Sequence, residues 1–137
     1  SAAALIPDPS LYPEVLDEAA QLLQTPALGW LFGPDSLAEA PFTARIGQST
    51  LLGTIDRLVI GPDTLRVVDF KSNSVVPATA VDVPEGILRQ MGAYVAALQQ
   101  IYPDRAVQPF ILWTRTATLM ALPVDIVSAA LDRAAIP

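Results

Sequence analysis

The segment Leu-Arg-Val-Val-Asp-Phe-Lys, residues Leu65 to Lys71, restricts the fold more than any other part of the chain. It is nearly all apolar until Asp69, and it follows Gly-Pro-Asp-Thr at 61–64, which is a strong turn signal. A short apolar run that leaves a turn predicts a strand. Because the apolar residues occupy successive positions, the strand is predicted to be buried on both faces, as is typical of the centre of a sheet.

The chain before this strand predicts helices followed by two further strands. Apolar residues at helical spacing predict a helix over 11–24, and a short helical piece is predicted over 27–32. Strands are predicted over 40–47 and 49–60. The short turn at 61–64 makes the second and third strands an antiparallel hairpin.

The chain after this strand predicts one long helix, two strands and a closing helix. A looser stretch over 72–83 leads to a helix over about 84–101, since proline and glutamate at its start suit a first helical turn. Strands are predicted over 106–114 and 117–122, and the closing helix over 123–135. This order of elements predicts an α/β fold with a mixed central sheet of about five strands flanked by helices.

The composition removes whole classes of catalytic site. The chain has 137 residues, of which 52% are hydrophobic, and this is enough for one domain with a real core. The absence of cysteine excludes disulfides and thiolate metal sites, and it fits a reducing cytoplasm. The absence of histidine excludes imidazole zinc sites and histidine-dependent triads. Any catalysis must therefore use carboxylates, lysine, tyrosine or hydroxyl groups.

The charge is unfavourable for a domain that binds nucleic acid alone. The formal net charge is −6, and only 8 residues are Lys or Arg, the residues that neutralise phosphates. If DNA is the substrate, we expect other domains or subunits to hold it. No apolar run approaches the roughly 20 residues of a membrane span, and the start lacks the pattern of a signal peptide. We therefore expect a cytoplasmic location and no membrane partner.

Two carboxylates and an ammonium group form the candidate catalytic set. Asp56 lies near the end of the second predicted strand, and Asp69 lies in the third, two residues before Lys71. Because side chains alternate along a strand, Asp69 and Lys71 share one face. Oxygen ligands suit Mg²⁺, and a lysine can orient or deprotonate a metal-bound water, so this set indicates a nuclease. Ion pairs are the alternative: Asp56 with Arg57 or Arg66, or Asp69 with Lys71.

Other polar residues are weaker candidates. Gln90 and Tyr94 lie four positions apart on the predicted helix and share a face, although a surface glutamine and a half-buried tyrosine would be ordinary there. Arg89 and Arg115 are candidates for phosphate contacts or for a solvated surface. Glu39, placed ahead of the first predicted strand, is a candidate to support a metal site or to cap a turn.

Three segments in order resemble the motifs of the PD-(D/E)XK nuclease superfamily. They are Gly-Thr-Ile-Asp-Arg at 53–57, Val-Asp-Phe-Lys-Ser at 68–72 and Gln-Met-Gly-Ala-Tyr at 90–94. The resemblance is greatest to the nuclease domain that ends the AddA and RecB helicase-nucleases, and it covers about 39–122. Tyr-Pro-Asp-Arg at 102–105 makes AddA the more similar of the two.

The resemblance implies a restriction-endonuclease-like fold and a set of catalytic roles. Asp56, Asp69 and the backbone carbonyl of Phe70 would coordinate one or two Mg²⁺ ions, for which Mn²⁺ is expected to substitute. Lys71 would position or activate the attacking water. Two residues of the helix would fix the scissile strand or the lysine, namely Gln90 and Tyr94.

The resemblance also implies a larger protein. The chain would be an N-terminally truncated nuclease domain, with leading helices over 1–38, a catalytic core over 39–122 and a closing helix over 123–137. The whole protein would process DNA double-strand breaks for recombinational repair with an AddB-type partner subunit, and ATP would bind only in its helicase part. The family usually supplies one more metal ligand, a histidine from an upstream helix, and this chain has none. The isolated fragment is therefore expected to bind metal poorly or to be inactive.

Three alternatives stay open. A nuclease-fold module that has lost catalysis would serve a structural or DNA-threading role, and the missing histidine and acidic surface favour it. Retention of both aspartates and Lys71 argues against it. A stand-alone nuclease of the same fold would need a basic DNA-binding face that this chain lacks. In a plain α/β binding domain, the motif match would be accidental.

Overall fold

The central strand predicted at 65–71 is the middle strand of a five-stranded sheet. The computed structural model describes residues 26–135, and the helix predicted over 11–24 lies outside this range. The strands follow one another across the sheet in chain order, and only the third and fourth are parallel. The mixed α/β sheet is therefore confirmed. Its strands are β1 Ser36–Ile46, β2 Ser49–Ile60, β3 Thr64–Lys71, β4 Ala106–Trp113 and β5 Thr118–Ala121.

One long helix covers one face of the sheet, and a second helix packs on the first. Helix α1, Glu85–Ile101, presents an apolar face to the sheet, and helix α2, Val124–Ala135, lies against α1. A short 3-10 helix at Ala80–Asp82 precedes α1. The predicted helices over 84–101 and 123–135 are confirmed within one residue at each end. No helix within residues 26–135 is long and apolar enough to cross a membrane.

The opposite face of β3 is covered by the 3-10 helix Pro26–Phe32. Its Leu28 and Leu31 are buried against Val68 of β3 and Leu112 of β4. The alternate residues of β3, Leu65 and Val67, belong to the core beneath α1. Burial on both faces of β3, predicted from its unbroken apolar run, is therefore confirmed.

The first strand begins earlier than its sequence predicted. The prediction began it at residue 40 and placed Glu39 ahead of it, but β1 starts at Ser36 and includes Glu39. Glu39 has a φ of 51°, in the left-handed region that non-glycine residues seldom adopt. Backbone pairing with β2 runs up to Ala38 and resumes at Ala40. The irregularity at Glu39 breaks the alternation on which strand prediction depends.

Strand β2 has a matching irregularity beside Glu39. Ile55 and Leu58 both pack in the core beneath α1, although a regular strand would place residues three positions apart on opposite faces. The register between β2 and β3 runs from Ile60 opposite Leu65 to Arg57 opposite Val68, and it stops there. One further step would place Asp56 opposite Asp69. The two strands therefore separate where both candidate aspartates lie.

Candidate active site

Asp69 and Lys71 lie on the α1 face of β3, as the alternation of the strand predicted. Asp69 is only 4% exposed, between the buried core of β3 and the fully buried Ile111, its register neighbour on β4. The Asp69 Oδ2 and Lys71 Nζ atoms lie 2.8 Å apart, which is an ion-pair distance. The ammonium group of Lys71 partly compensates the buried charge of Asp69. The site thus holds a buried carboxylate oxygen that is paired with one ammonium group.

Asp56 takes the place of a strand-to-strand backbone contact. The backbone N–H of Phe70 donates a 2.8 Å hydrogen bond to Asp56 Oδ2, so the side chain of β2 bridges the opening where the ladder stops. The N–H and C=O of one strand residue point to the same neighbouring strand. The Phe70 carbonyl is therefore directed toward the same opening. The backbone groups of the next residue, Lys71, point to the other side of β3. The Lys71 carbonyl accepts a hydrogen bond from Thr114 N–H on the β4 side.

A chain of hydrogen bonds holds Lys71 from the side of α1. Lys71 Nζ donates to Gln90 Oε1 at 3.0 Å, and Gln90 Nε2 donates to the Tyr94 hydroxyl at 3.0 Å. The hydroxyl then donates to the Thr54 carbonyl at the longer distance of 3.5 Å. A lysine can only donate, so the direction of each bond along this chain is fixed. The structure therefore joins all three sequence motifs through Gln90 and Tyr94.

Burial sets the protonation of two groups in the site. Burial raises the pKa of Asp69 to about 6, even though Lys71 acts to lower it, and the nearby charge of Asp56 raises it further. Burial, together with the charges of Asp69 and Asp56, raises the pKa of Tyr94 to about 12. Tyr94 thus stays a hydrogen-bond donor across the physiological pH range. Binding of a cation near Asp69 is favourable, because the cation compensates the cost of the buried negative charge of the carboxylate.

The oxygen atoms at the opening fit a hard divalent cation. Asp56 and Asp69 supply carboxylates, and the geometry of the strand directs the Phe70 carbonyl to the same opening. Mg²⁺ prefers oxygen ligands and usually keeps several waters, so few protein ligands suffice. Within residues 26–135, no three acidic, cysteine or histidine side chains gather into one metal-binding group. Among residues 26–135, a cation here would therefore depend on the two aspartates, backbone oxygen and water.

Two motif glycines shape the surroundings of Tyr94. A Cβ on Gly53 would lie 2.7 Å from the ring of Phe42, and that ring packs edge-on against Tyr94 with centroids 5.5 Å apart. A Cβ on Gly92 would overlap the backbone carbonyl of Val127 in α2. Only glycine lets these neighbours approach so closely. The glycines of the first and third motifs therefore brace the helix that carries Gln90 and Tyr94.

The remaining candidates lie around this cluster. Glu39 lies on β1 across from Asp56, beside a cavity of about 330 Å³ that Leu98 and Ile101 of α1 also line. Its role as a supporting residue stays a prediction. Arg115 Nε donates to the Ser72 carbonyl at 2.7 Å, next to Lys71.

The two arginines considered as ion-pair partners of Asp56 stack on aromatic rings. The Arg57 guanidinium lies 4.8 Å from the Phe32 ring centroid, and the Arg66 guanidinium lies 4.8 Å from that of Trp30. Both rings belong to the 3-10 helix on the face of the sheet opposite α1. Burial lowers the pKa of Arg57. These contacts direct both cations to the other face.

Sequence reasoning missed one functional group, the Thr54 carbonyl that ends the hydrogen-bond chain from Lys71. Backbone carbonyls occur at every residue and carry no residue-type signal. The one sequence signal for the Thr54 carbonyl is that Thr54 lies within the Gly-x-x-Asp segment. That signal indicates a contact only once α1 is known to pack over β2.

Comparison with known proteins identifies the family. The model of the PD-(D/E)XK nuclease superfamily matches residues 9–122, a range that contains all three motifs. The chain belongs to the PD-(D/E)XK nuclease superfamily. Members of this superfamily generally use divalent metal ions, which agrees with the oxygen ligands at the opening between β2 and β3.

Two solved structures resemble this PD-(D/E)XK chain. A "putative exonuclease" from Eubacterium rectale superposes with a TM-score of 0.67 at 13% sequence identity, over 90% of this chain and 50% of that one. The protein SSO0001 superposes with a TM-score of 0.44 at 13% identity, over 92% of this chain and 66% of that one. This chain thus spans half the length of the exonuclease and about two thirds of SSO0001. No curated protein matches it significantly.

Proposed function

We propose that this chain is a Mg²⁺-dependent DNA exonuclease domain, in which Asp56, Asp69 and Lys71 are the catalytic residues. The observation that carries this proposal is the buried Asp69 oxygen beside Lys71, at the place where Asp56 bridges the opening between β2 and β3. A buried carboxylate whose burial outweighs the compensation by its ion-pair partner is costly, and such groups concentrate at functional sites. Membership of the nuclease superfamily supports phosphodiester hydrolysis as the function.

Each side chain has a separate role in this mechanism. Asp56, Asp69 and the Phe70 carbonyl would hold Mg²⁺, or Mn²⁺ in its place. The bound cation would supply an activated water and would stabilise negative charge at the phosphate. Lys71 has three N–H donors, of which one goes to Gln90 and one faces Asp69. The third can orient the attacking water or a phosphate oxygen.

Gln90 and Tyr94 position the lysine in this mechanism. The lysine stem is flexible, with several rotatable bonds, and fixing the ammonium group in advance lowers the entropy lost in the reaction. Gln90 anchors Lys71, and Tyr94 holds the amide of Gln90 in the required orientation. Both residues therefore act through Lys71 and are positioning residues.

We further propose that the chain is the C-terminal nuclease part of an AddA-type helicase-nuclease that processes double-strand breaks for recombinational repair. The net charge of −6 supports this, because a nuclease with so few cations depends on other domains to hold DNA. Tyr-Pro-Asp-Arg at 102–105 supports the AddA assignment. In such a protein, ATP would bind to the helicase part, and an AddB-type subunit would be the partner. The core proposed over 39–122 would begin slightly earlier, with β1 at Ser36, and it would lie between leading helices and the closing helix proposed over 123–137.

Substitution of the catalytic residues tests the nuclease proposal. In the intact enzyme, Asp69→Ala and Lys71→Ala should lower cleavage of a labelled linear DNA with Mg²⁺ by at least about 100-fold, as removal of a group used in the transition state does. In a helicase-nuclease, ATP-driven unwinding should persist. Asp104→Ala is the matched control, since Asp104 is exposed in the turn after α1. Wild-type cleavage by either catalytic variant would refute the assignment.

A second candidate is a nuclease-fold module without catalysis, which is favoured by the small number of metal-binding side chains within residues 26–135. Thermal unfolding with Mn²⁺ or Ca²⁺ separates the two functions. A nuclease should be stabilised by either ion, and Asp56→Ala should remove that stabilisation. An inactive module should unfold at the same temperature with and without the ion. A stand-alone nuclease would cut DNA without any helicase part.

A further inference from the structure

The end of β3 that carries Lys71 is paired unequally with its two neighbouring strands. The backbone ladder between β2 and β3 stops at Arg57 opposite Val68. The ladder between β3 and β4 continues to Lys71 opposite Trp113. The last residues of β3, at 69–71, therefore pair with β4 and lie beyond the ladder with β2. The backbone position of Lys71 thus depends mainly on β4.

The chain just after Lys71 is an exposed segment. Residues 72–75 are all exposed, and Val75 is 80% exposed. Regular structure resumes at the 3-10 helix Ala80–Asp82. Exposed segments with few buried contacts open locally at a low free-energy cost. Such an opening would extend to the backbone of Lys71 unless contacts with β4 and the turn after it fix the end of the strand.

Two residues of the turn after β4 contact this end of β3. Thr114 donates twice to the Lys71 carbonyl, from its backbone N–H at 2.9 Å and from its hydroxyl at 3.2 Å. Arg115 Nε donates to the Ser72 carbonyl at 2.7 Å. The bond from the backbone N–H continues the ladder, and the two side-chain bonds reinforce it at Lys71 and one residue beyond. The turn therefore fixes the carbonyl groups of Lys71 and of the residue that follows it.

Burial strengthens the contacts of Thr114. Its side chain is buried, with 9% of the residue exposed, so the hydroxyl bond is largely shielded from competing water. The preceding residue, Trp113, is fully buried and lies opposite Lys71, so a well-packed strand end carries the donors. Buried hydroxyl groups are normally hydrogen-bonded, and here the acceptor is the backbone carbonyl of the proposed catalytic lysine. Packing thus directs the threonine to one backbone atom of Lys71.

We propose that Thr114 and Arg115 are positioning residues that fix the backbone of Lys71 for catalysis. The proposal rests on the proposed nuclease function and adds two residues that act through the lysine. Gln90 holds the ammonium group at one end of the lysine side chain, and the turn holds the backbone at the other end. Both ends need support, because misplacement of a reacting group by about 1 Å can cost about 100-fold in rate. The contact with Ser72 gives Arg115 a role different from the phosphate contact considered from the sequence.

Hydrogen–deuterium exchange tests the backbone contacts on the 137-residue chain, without any need for cleavage. Thr114→Val removes the hydroxyl and keeps the backbone N–H, whereas Thr114→Ser keeps both. Amides in peptides that cover 70–76 should exchange about fivefold faster in Thr114→Val and in Arg115→Ala, the effect of losing one hydrogen bond. They should exchange at the wild-type rate in Thr114→Ser. Arg115→Ala tests the proposal even if Thr114→Val does not fold, since Arg115 is exposed.

Steady-state cleavage of DNA by the intact enzyme tests the catalytic consequence. In Thr114→Val, kcat should fall about fivefold or more with little change in KM, because the lysine is less well placed while DNA binding is untouched. Thr114→Ser should restore kcat to within about twofold of the wild-type value. Arg115→Ala should lower kcat and leave KM and its salt dependence unchanged. A phosphate contact of Arg115 would instead raise KM and weaken its salt dependence, and that result would overturn the role assigned to this arginine.

Two matched controls carry the same chemistry away from Lys71. Thr116 is an exposed threonine of the same turn, and its hydroxyl shares a hydrogen bond with that of Thr118. Arg105 Nε donates to the Gly61 carbonyl at 2.9 Å, near the other end of β3. Thr116→Val and Arg105→Ala should leave kcat unchanged, together with the exchange rates of the segment that contains Lys71.

The possible results separate the positioning role from the nuclease proposal. The positioning role is overturned if Thr114→Val or Arg115→Ala exchanges and cleaves like the wild type, or if Thr114→Ser does not restore kcat. It is also overturned if Thr116→Val has the same effect as Thr114→Val. If the exchange rates change as expected but Asp69→Ala cuts DNA like the wild type, the contacts of the turn stand and the catalytic assignment fails.

Discussion

The backbone N–H of Phe70 donates to Asp56 Oδ2 across the opening where β2 and β3 separate. This contact gives Asp56 a structural role beside its proposed metal-binding role, and the two can be measured separately. One oxygen of the carboxylate holds the next strand, while the carboxylate charge faces the region of Asp69.

Asp56→Ala should lower the free energy of unfolding by about 1–2 kcal/mol, because the Phe70 N–H loses its acceptor in a partly buried place. Asp56→Asn keeps an acceptor oxygen and should lose less than half of that amount. Both variants should lose the stabilisation by Mn²⁺, since both lack the charge. Urea unfolding with and without Mn²⁺ measures both quantities. Equal loss of stability in the two variants would contradict the structural role of the hydrogen bond.

Tyr94→Phe should slow cleavage without unfolding the domain. The variant keeps the ring that packs on Phe42, but Gln90 Nε2 loses its acceptor, so Lys71 is held less firmly. We expect kcat to fall about 10-fold or more with little change in KM, and the unfolding free energy to fall by about 1 kcal/mol. Because the pKa of Tyr94 is raised to about 12, the wild-type rate should show no tyrosine titration below pH 10. The measurements are steady-state kinetics across pH and urea unfolding.

The control for Tyr94→Phe is a variant that loses a tyrosine hydroxyl away from the candidate site. Tyr102→Phe serves, since Tyr102 lies at the C-terminal end of α1, where its ring contacts Arg105. Its kcat should equal that of the wild type. If Tyr94→Phe and Tyr102→Phe have the same kcat, the hydrogen-bond chain has no role in catalysis.

The sequence predicted most elements because their boundaries coincide with strong local signals. The turn at 61–64 and the proline at the start of α1 allowed the bounds of β2, β3 and α1 to be predicted to within one residue. The start of β1 lacked such a signal, since Glu39 adopts a left-handed backbone and interrupts the alternation. The irregularity at Glu39 suggests that the strand begins after this residue. In the structure the strand continues through Glu39 and begins at Ser36.

The candidate site was predictable where it depends on side-chain spacing. Asp69 and Lys71 share a strand face, and Gln90 and Tyr94 share a helix face, as their spacing required. The end of the β2–β3 ladder at Asp56 and the contact to the Phe70 N–H were not predictable. Both depend on backbone groups and on the packing of α1, which spacing along one element does not encode.

The buried Asp69 should make the metal-free domain less stable as pH rises. Its pKa is about 6 in the folded chain and near 4 when unfolded, so the folded state binds more protons between these values. The unfolding free energy should therefore fall from about pH 4 to pH 6, by at most about 3 kcal/mol, and stay low above that range. Asp69→Asn should lack this decrease. Urea unfolding in EDTA at several pH values checks it.

The metal should reverse this dependence on pH. A bound cation favours the ionised carboxylate, so stabilisation by Mn²⁺ should be large above pH 6 and should fade as the pH falls below it. Isothermal titration with Mn²⁺ at pH 5 and pH 7 measures the affinity directly. Equal affinity at the two pH values would show that Asp69 does not bind the ion.

Two glycines of α1 offer a matched pair of substitutions that differ only in their surroundings. Gly92→Ala places a methyl group against the Val127 carbonyl and the Leu131 side chain, so α2 must move away from α1. We expect a loss of about 1–3 kcal/mol, as for other overpacked sites, and slower cleavage because α1 carries Gln90. At Gly86→Ala the added methyl group meets nothing within 4 Å, and the better helix propensity of alanine should raise the unfolding free energy by up to about 1 kcal/mol. Urea unfolding of both variants measures this difference, and a Gly92→Ala variant as stable as Gly86→Ala would disprove the close packing of α2 on α1.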